Sequence, residues 1–145
     1  MIFDITSEID KIIDSAHHDP FLVLGFHVLD HDSASSVIRT FQPHAATCWL
    51  VTESDKKEMY KTRPEGFFEI VVPNCTEPFP YHYEALYHDE TVHVFRDPYR
   101  TLPQMTEYDR YLFNNGTNYE IYNRLGAHPL ELDGMKGTIF RVWAP

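Results

Sequence analysis

One pattern occurs twice in this chain, and it limits the fold more than any other feature. Leu24-Gly25-Phe26-His27 is followed, after a polar stretch, by Val37-Ile38-Arg39-Thr40-Phe41-Gln42-Pro43. Leu125-Gly126-Ala127-His128 is followed in the same way by Ile139-Phe140-Arg141-Val142-Trp143-Ala144-Pro145. From the Leu of L-G-x-H to the Arg of R-x-(aromatic)-x-P is 15 residues in the first copy and 16 in the second. Self-similarity of this kind predicts one whole module followed by the opening strand of another, cut off at Pro145.

Between the two copies the chain has the texture of short strands. Residues 36–42, 47–52, 58–62, 67–72, 80–87 and 91–96 are predicted strands. They are separated by Pro43, Ser54-Asp55-Lys56-Lys57, Arg63-Pro64-Glu65-Gly66, Pro73-Asn74 and His88-Asp89-Glu90. Six or seven such strands, with turns rather than helices between them, predict a mainly β fold: an immunoglobulin-like β-sandwich. Ahead of it, Ser7-x-x-Asp10 and the stripe Ile5, Ile9, Ile12, Ile13, Ala16 predict a short helix to about His17, then a turn or loop from Phe21 to Gly25. Behind it, Thr106-x-x-Asp109 and Asn114-Asn115-Gly116 frame a helical turn, and Thr117-x-x-Glu120 opens a second helix stopped by Gly126. The expected organisation is an N-terminal helix over 1–18, the sandwich over 19–96 and an ordered helical connector over 97–130. A lone first strand over 131–145 would follow, mobile for want of a partner.

Charge narrows the function classes. A formal charge of −10 leaves no Lys/Arg cluster for phosphate, so nucleic acid is excluded as a partner and an anionic membrane surface would be repelled. No segment reaches the ~20 apolar residues of a membrane span, and Met1-Ile2-Phe3-Asp4 does not open a signal peptide. Cys48 and Cys75 lack C-x-x-C spacing and read as reduced thiols of a cytoplasmic, monomeric chain.

Nine histidines invite a metal, but none forms an H-x-x-x-H pair on a predicted helix or joins a Cys/His tetrad: His17 and His18 are adjacent, His27 and His31 are four apart in a loop, and His82, His88 and His93 lie on different strands. No G-x-S-x-G, phosphate loop or dinucleotide fingerprint is present, and no carboxylate pair stands out. No catalytic residue, metal or cofactor is predicted for this chain. Aromatics are the candidates for binding. If Cys48 and Leu50 face the core, Trp49 and Val51 face out, where an indole can stack on the apolar face of a sugar. Tyr60, Tyr81 and Tyr83 are further candidate glucan contacts, with Tyr87 behind them. The competing reading has Trp49 covering the sandwich or packing on a neighbouring domain.

These residues closely resemble the N-terminal region of bacterial 1,4-α-glucan (glycogen) branching enzymes. The matching segments are 19–27 (DPFLVLGFH), 37–45 (VIRTFQPHA), 64–69 (PEGFFE), 97–99 (DPY), 111–116 (YLFNNG), 122–129 (YNRLGAHP) and 137–145 (GTIFRVWAP). The resemblance implies an accessory module that opens a longer chain, with a second, starch-binding-type sandwich, an α-amylase-type barrel and a C-terminal β-domain downstream. It implies α-1,4-glucan or glycogen as the partner of the parent enzyme, whose aspartate nucleophile and glutamate acid/base would lie beyond Pro145. The alternatives are a purely structural packing module and the N-terminal module of another α-amylase-family enzyme. In related starch-binding modules the strand equivalent to residues 47–51 runs into a Gly-Asp-Phe-Asn loop. Here that place reads Val51-Thr52-Glu53-Ser54-Asp55-Lys56-Lys57, so a sugar contact would fall to other aromatics such as Trp49.

Overall fold

A computed structural model of the chain describes residues 5–30, 34–101, 105–132 and 135–144; His31 and Pro145 of the motifs above lie outside the described residues. The chain divides into two compact units, Met1–Arg100 and Thr101–Pro145.

Among the described residues, the first unit is a β-sandwich of eight antiparallel strands. They are β1 (Gly25–Asp30), β2 (Ser35–Phe41), β3 (Ala45–Val51), β4 (Lys56–Glu58), β5 (Tyr60–Arg63), β6 (Phe67–Val72), β7 (His82–Tyr87) and β8 (Val92–Phe95). One sheet has the order β1-β2-β6-β5, the other β4-β3-β7-β8. Lettered in chain order, these are A-B-E-D and C′-C-F-G, the strand order of an immunoglobulin-type sandwich with one added strand. The predicted 58–62 strand is in fact two pieces. Buried Met59 marks the point where the chain leaves one sheet for the other, and its N–H donates to the Cys48 carbonyl at 2.8 Å.

Period-2 alternation fills the space between the sheets. Ile38 and Phe68 come from one sheet, Cys48, Leu50, Tyr83 and Ala85 from the other, and Met59 and Tyr81 join them. Burial in this core pushes the Cys48 thiol up to about 12, so it stays protonated at neutral pH.

A second core lies at one end of the first sheet. Helix α1 (Ile5–Ile13) buries Ile9 and Ile12 with Val23, Leu24 and Phe67, and Ile5, Ile13, Phe41 and Tyr99 pack around them. Nine residues make too short a helix to persist alone. Burial of these isoleucines, roughly 1.5–3 kcal/mol each, holds it. The helix starts before Ser7, which is therefore not its cap, and it stops well before His17. Ser15 takes the left-handed conformation (φ 56°), and the Ala16 N–H returns to the Lys11 carbonyl at 2.8 Å, a Schellman stop.

The second unit begins with α2 (Glu107–Asn114). Thr106 caps it in a full capping box with Asp109, as the sequence predicts. The second predicted helix is absent: residues 121–123 form only a 3-10 turn, and Glu120 makes no side-chain cap. Thr117 is occupied in ending α2, since its N–H and its hydroxyl both donate to the Leu112 carbonyl. The tail is not a lone strand either. β9 (Gly126–Leu132) and β10 (Met135–Arg141) pair along their full length as an antiparallel hairpin.

Candidate functional site

Trp49 sits on β3 with Cys48 and Leu50 buried on either side of it in sequence, so its ring lies on the outer face of the β4-β3-β7-β8 sheet. Register places Glu58 of β4 on one side of it and Glu84 of β7 on the other, with Val94 of β8 beyond Glu84. Thr47, Leu86 and Val92 form the neighbouring row, and Lys56, Val51 and His82 the row on the other side. The Lys56 ammonium stands 4.7 Å from the centre of the indole ring and bonds the Glu84 carboxylate. Trp49 is therefore a half-buried ring with a cation over it, flanked by two carboxylates on a face otherwise rich in valine and leucine.

Lys56 and Glu84 were not distinguishable as site residues in the sequence, because their position depends on the β3–β4 and β3–β7 registers. The one available signal was the turn Thr52–Asp55, in which the Thr52 N–H donates to the Asp55 carbonyl at 2.8 Å and the Asp55 N–H to the Thr52 hydroxyl at 3.0 Å. A tight turn of that kind returns the chain beside β3.

The other three candidates are not gathered around Trp49. Tyr60 is 74% exposed, but it pairs with Glu69, which pairs with Arg39, and that row is the outer face of the opposite sheet. Tyr81 and Tyr83 face inward and are buried, so neither offers a ring face to a ligand. Their hydroxyls donate to Oδ2 of buried Asp97 at 2.5 and 2.9 Å, while its Oδ1 accepts from the Tyr99 N–H at 2.8 Å. Burial, then the Asp97 charge, raises both phenols well above the ordinary tyrosine range. As glucan contacts these two residues are corrected to core. Their alternation with His82 and Glu84 does group them on one face, but only the partner sheet shows that this face is the inner one.

Among the described residues no group of three or more His, Cys, Asp or Glu is placed to hold a metal, and no helix is long and apolar enough to cross a membrane. The cavity beneath α1, about 290 Å³, is lined by Ile12, Ser15, Pro20, Leu24, Phe41 and Tyr99 around His17. His17 Nδ1 accepts from the Asp19 N–H at 3.0 Å, which leaves Nε2 to carry the proton and face Glu8 at 2.9 Å. This is a structural histidine.

The sandwich coincides with a known domain. The family model of the alpha-1,4-glucan branching enzyme GlgB N-terminal domain matches residues 5–99, almost the whole of the first unit. The chain belongs to this family. Among its relatives are the 1,4-alpha-glucan branching enzymes GlgB of Rubrobacter xylanophilus, 37% identical over 139 residues, and of Nitrosospira multiformis, 39% identical over 132. A third is that of Myxococcus xanthus, 34% identical over 141 residues. These alignments cover 94%, 88% and 97% of this chain but only 18%, 17% and 19% of the relatives. The chain thus spans about a fifth of the length of the enzymes it matches, and it corresponds to their N-terminal part. The second unit is included in that likeness, although the branching-enzyme N-terminal domain itself ends at residue 99.

Proposed function

We propose that this chain is the non-catalytic N-terminal accessory module of a cytoplasmic 1,4-α-glucan branching enzyme. The parent would form α-1,6 branches in glycogen by transferring α-1,4 segments, and the module would help place the glucan chain or set the length transferred. The family match carries the first half of this reading. The second half rests on Trp49, an indole on an outer sheet face between the carboxylates of Glu58 and Glu84. A pyranose ring presents axial C–H groups to an aromatic face and hydroxyls to its rim, and this arrangement offers partners for both. Binding displaces Lys56 from the ring at a cost of about 0.5–1 kcal/mol, so affinity for a short glucan is weak.

The Trp143→Phe variant leaves Trp49 as the single tryptophan, since the chain has two. Titration of that variant with maltoheptaose is expected to change Trp49 fluorescence and to shift backbone NMR signals around Trp49, Lys56 and Glu84. Trp49→Ala abolishes the response. Absence of any change at millimolar sugar would end the glucan-contact reading. A packing role is the alternative, and one observation favours it: Lys56 covers the ring while Val92 and Val94 nearby stay exposed.

A further inference from the structure

The second unit holds a cavity that lies beyond the branching-enzyme N-terminal domain, which ends at residue 99. Its volume is about 360 Å³. Asp109 and Leu112 of α2, Asn118 and Glu120 of the following loop, and Asn123 and Arg124 at the end of the 3-10 turn line it. These walls are fixed to one another. Asp109 Oδ2 accepts from the Thr106 N–H at 3.0 Å and from its hydroxyl at 2.7 Å, and Oδ1 accepts from Arg124 Nε at 3.1 Å. Arg141 donates to the Arg124 carbonyl at 3.0 Å and so ties the turn to β10, while Thr117 ties the loop to the Leu112 carbonyl. Among the described residues, the side chains of Asn118, Glu120 and Asn123 make no hydrogen bond or ion pair, and Arg124 uses only its Nε. A preformed cavity therefore presents two amides, a carboxylate and the outer edge of a guanidinium, all left to solvent.

We propose that this cavity is a sugar site, taking one pyranose unit of an α-1,4-glucan chain. The lining selects the ligand class by elimination. Asp109 and Glu120 outweigh Arg124, so an anion such as phosphate meets net negative charge. A divalent cation needs several oxygen ligands, and with Asp109 engaged Glu120 is the one uncommitted carboxylate of the lining. An apolar ligand finds Leu112 alone. A neutral molecule with many hydroxyls fits, because each hydroxyl both donates and accepts. The two amides answer in both directions, Glu120 accepts and Arg124 donates. Ring faces accompany these groups: Tyr119 stands between Asn118 and Glu120 in sequence, and Tyr122 adjoins Asn123. They are 86% and 67% exposed, and neither hydroxyl has a partner among the described residues. Both rings are therefore spare to packing, unlike Tyr81 and Tyr83, and can stack on the C–H face of a pyranose. The choice of α-1,4-glucan among sugars rests on the branching-enzyme reading. The site itself is independent of Trp49.

Backbone NMR of the 145-residue chain with maltoheptaose at millimolar concentration is expected to shift the signals of residues 118–124 together, separately from any shifts around Trp49. Replacing both Tyr119 and Tyr122 by alanine raises the dissociation constant at this site about tenfold or more. Asn123→Ala removes one hydrogen-bonding group and raises it about two- to tenfold. Circular dichroism stays unchanged in both variants, because the replaced side chains are exposed. Sorbitol has the hydroxyls without the ring face, and it leaves these signals in place. Signals at 118–124 that do not move with maltoheptaose overturn the proposal, whatever happens at Trp49. Shifts confined to 118–124 uphold it and remove the Trp49 contact instead. An equal response to sorbitol, or a response indifferent to both variants, also overturns it.

Discussion

The two L-G-x-H copies adopt the same local structure in opposite surroundings. Each follows a 3-10 turn, Pro20–Leu22 in one case and Ile121–Asn123 in the other. Each glycine has a positive φ, 87° at Gly25 and 101° at Gly126. Each histidine turns back on its Leu carbonyl, His27 Nε2 to Leu24 O at 3.0 Å and His128 Nε2 to Leu125 O at 2.8 Å. A carbonyl only accepts, so both rings carry the proton on Nε2. In each copy the glycine then pairs with the arginine of the second motif, Gly25 with Arg39 and Gly126 with Arg141. Yet Ile38 is 0% exposed and Phe140, at the same register position, is 73% exposed. A motif of this length therefore fixes a turn, a backbone conformation and a hairpin register. Burial comes from the strands that follow, here β6 beside β2 and the second sheet across from it.

The sharpest way to break this comparison is to delete the equivalent apolar side chains. Ile38→Ala removes buried methyl groups between two sheets and is expected to lower stability by about 2–5 kcal/mol in urea unfolding. Phe140→Ala removes an exposed ring and should change stability by no more than about 0.5 kcal/mol. A large loss at Phe140 would mean that the hairpin has a partner in solution, contradicting the burial difference.

A smaller effect separates the two glycines. Alanine at either position is strained by roughly 1–2 kcal/mol, because the left-handed region crowds a Cβ. At Gly25 the added Cβ would also stand 3.0 Å from the Tyr99 carbonyl oxygen and its Cβ, whereas at Gly126 its nearest neighbour is His128 Nε2 at 3.9 Å. Gly25→Ala should therefore cost more than the strain alone, and Gly126→Ala no more than the strain. Thermal unfolding reads the first, and hydrogen exchange across the β9–β10 ladder the second. Equal costs would show that Tyr99 yields freely.

This contrast also explains what was legible in the sequence. Alternation and turn residues marked most strands of the sandwich, and the Thr106-x-x-Asp109 box marked α2, because those signals are local. β1 and β9 escaped because each starts on the glycine of a motif that reads as a turn, and Pro129 within β9 argues against a strand until the hairpin is seen to have a free edge. Thr117-x-x-Glu120 has the letters of a capping box, but the end of α2 had already taken its threonine. At the candidate site, alternation placed Trp49 on a face opposite Cys48 and Leu50. Neither the cation over its ring nor the inward facing of Tyr81 and Tyr83 could be read, since the first depends on the register of β4 against β3 and the second on a partner sheet far away in sequence.

The smallest expected effect tests the shared element itself. If the histidine staple is a local device, its worth depends on the hydrogen bond to the Leu carbonyl and not on the core beneath. His27→Ala and His128→Ala should then cost similar amounts, about 0.5–1.5 kcal/mol each, although their surroundings differ. Hydrogen exchange at the β1–β2 and β9–β10 amides measures both in one protein. A loss at His27 several times that at His128 would assign the staple's value to burial in the sandwich. Equal losses would make the L-G-x-H turn a self-contained unit that stabilises a hairpin with or without a sheet to receive it.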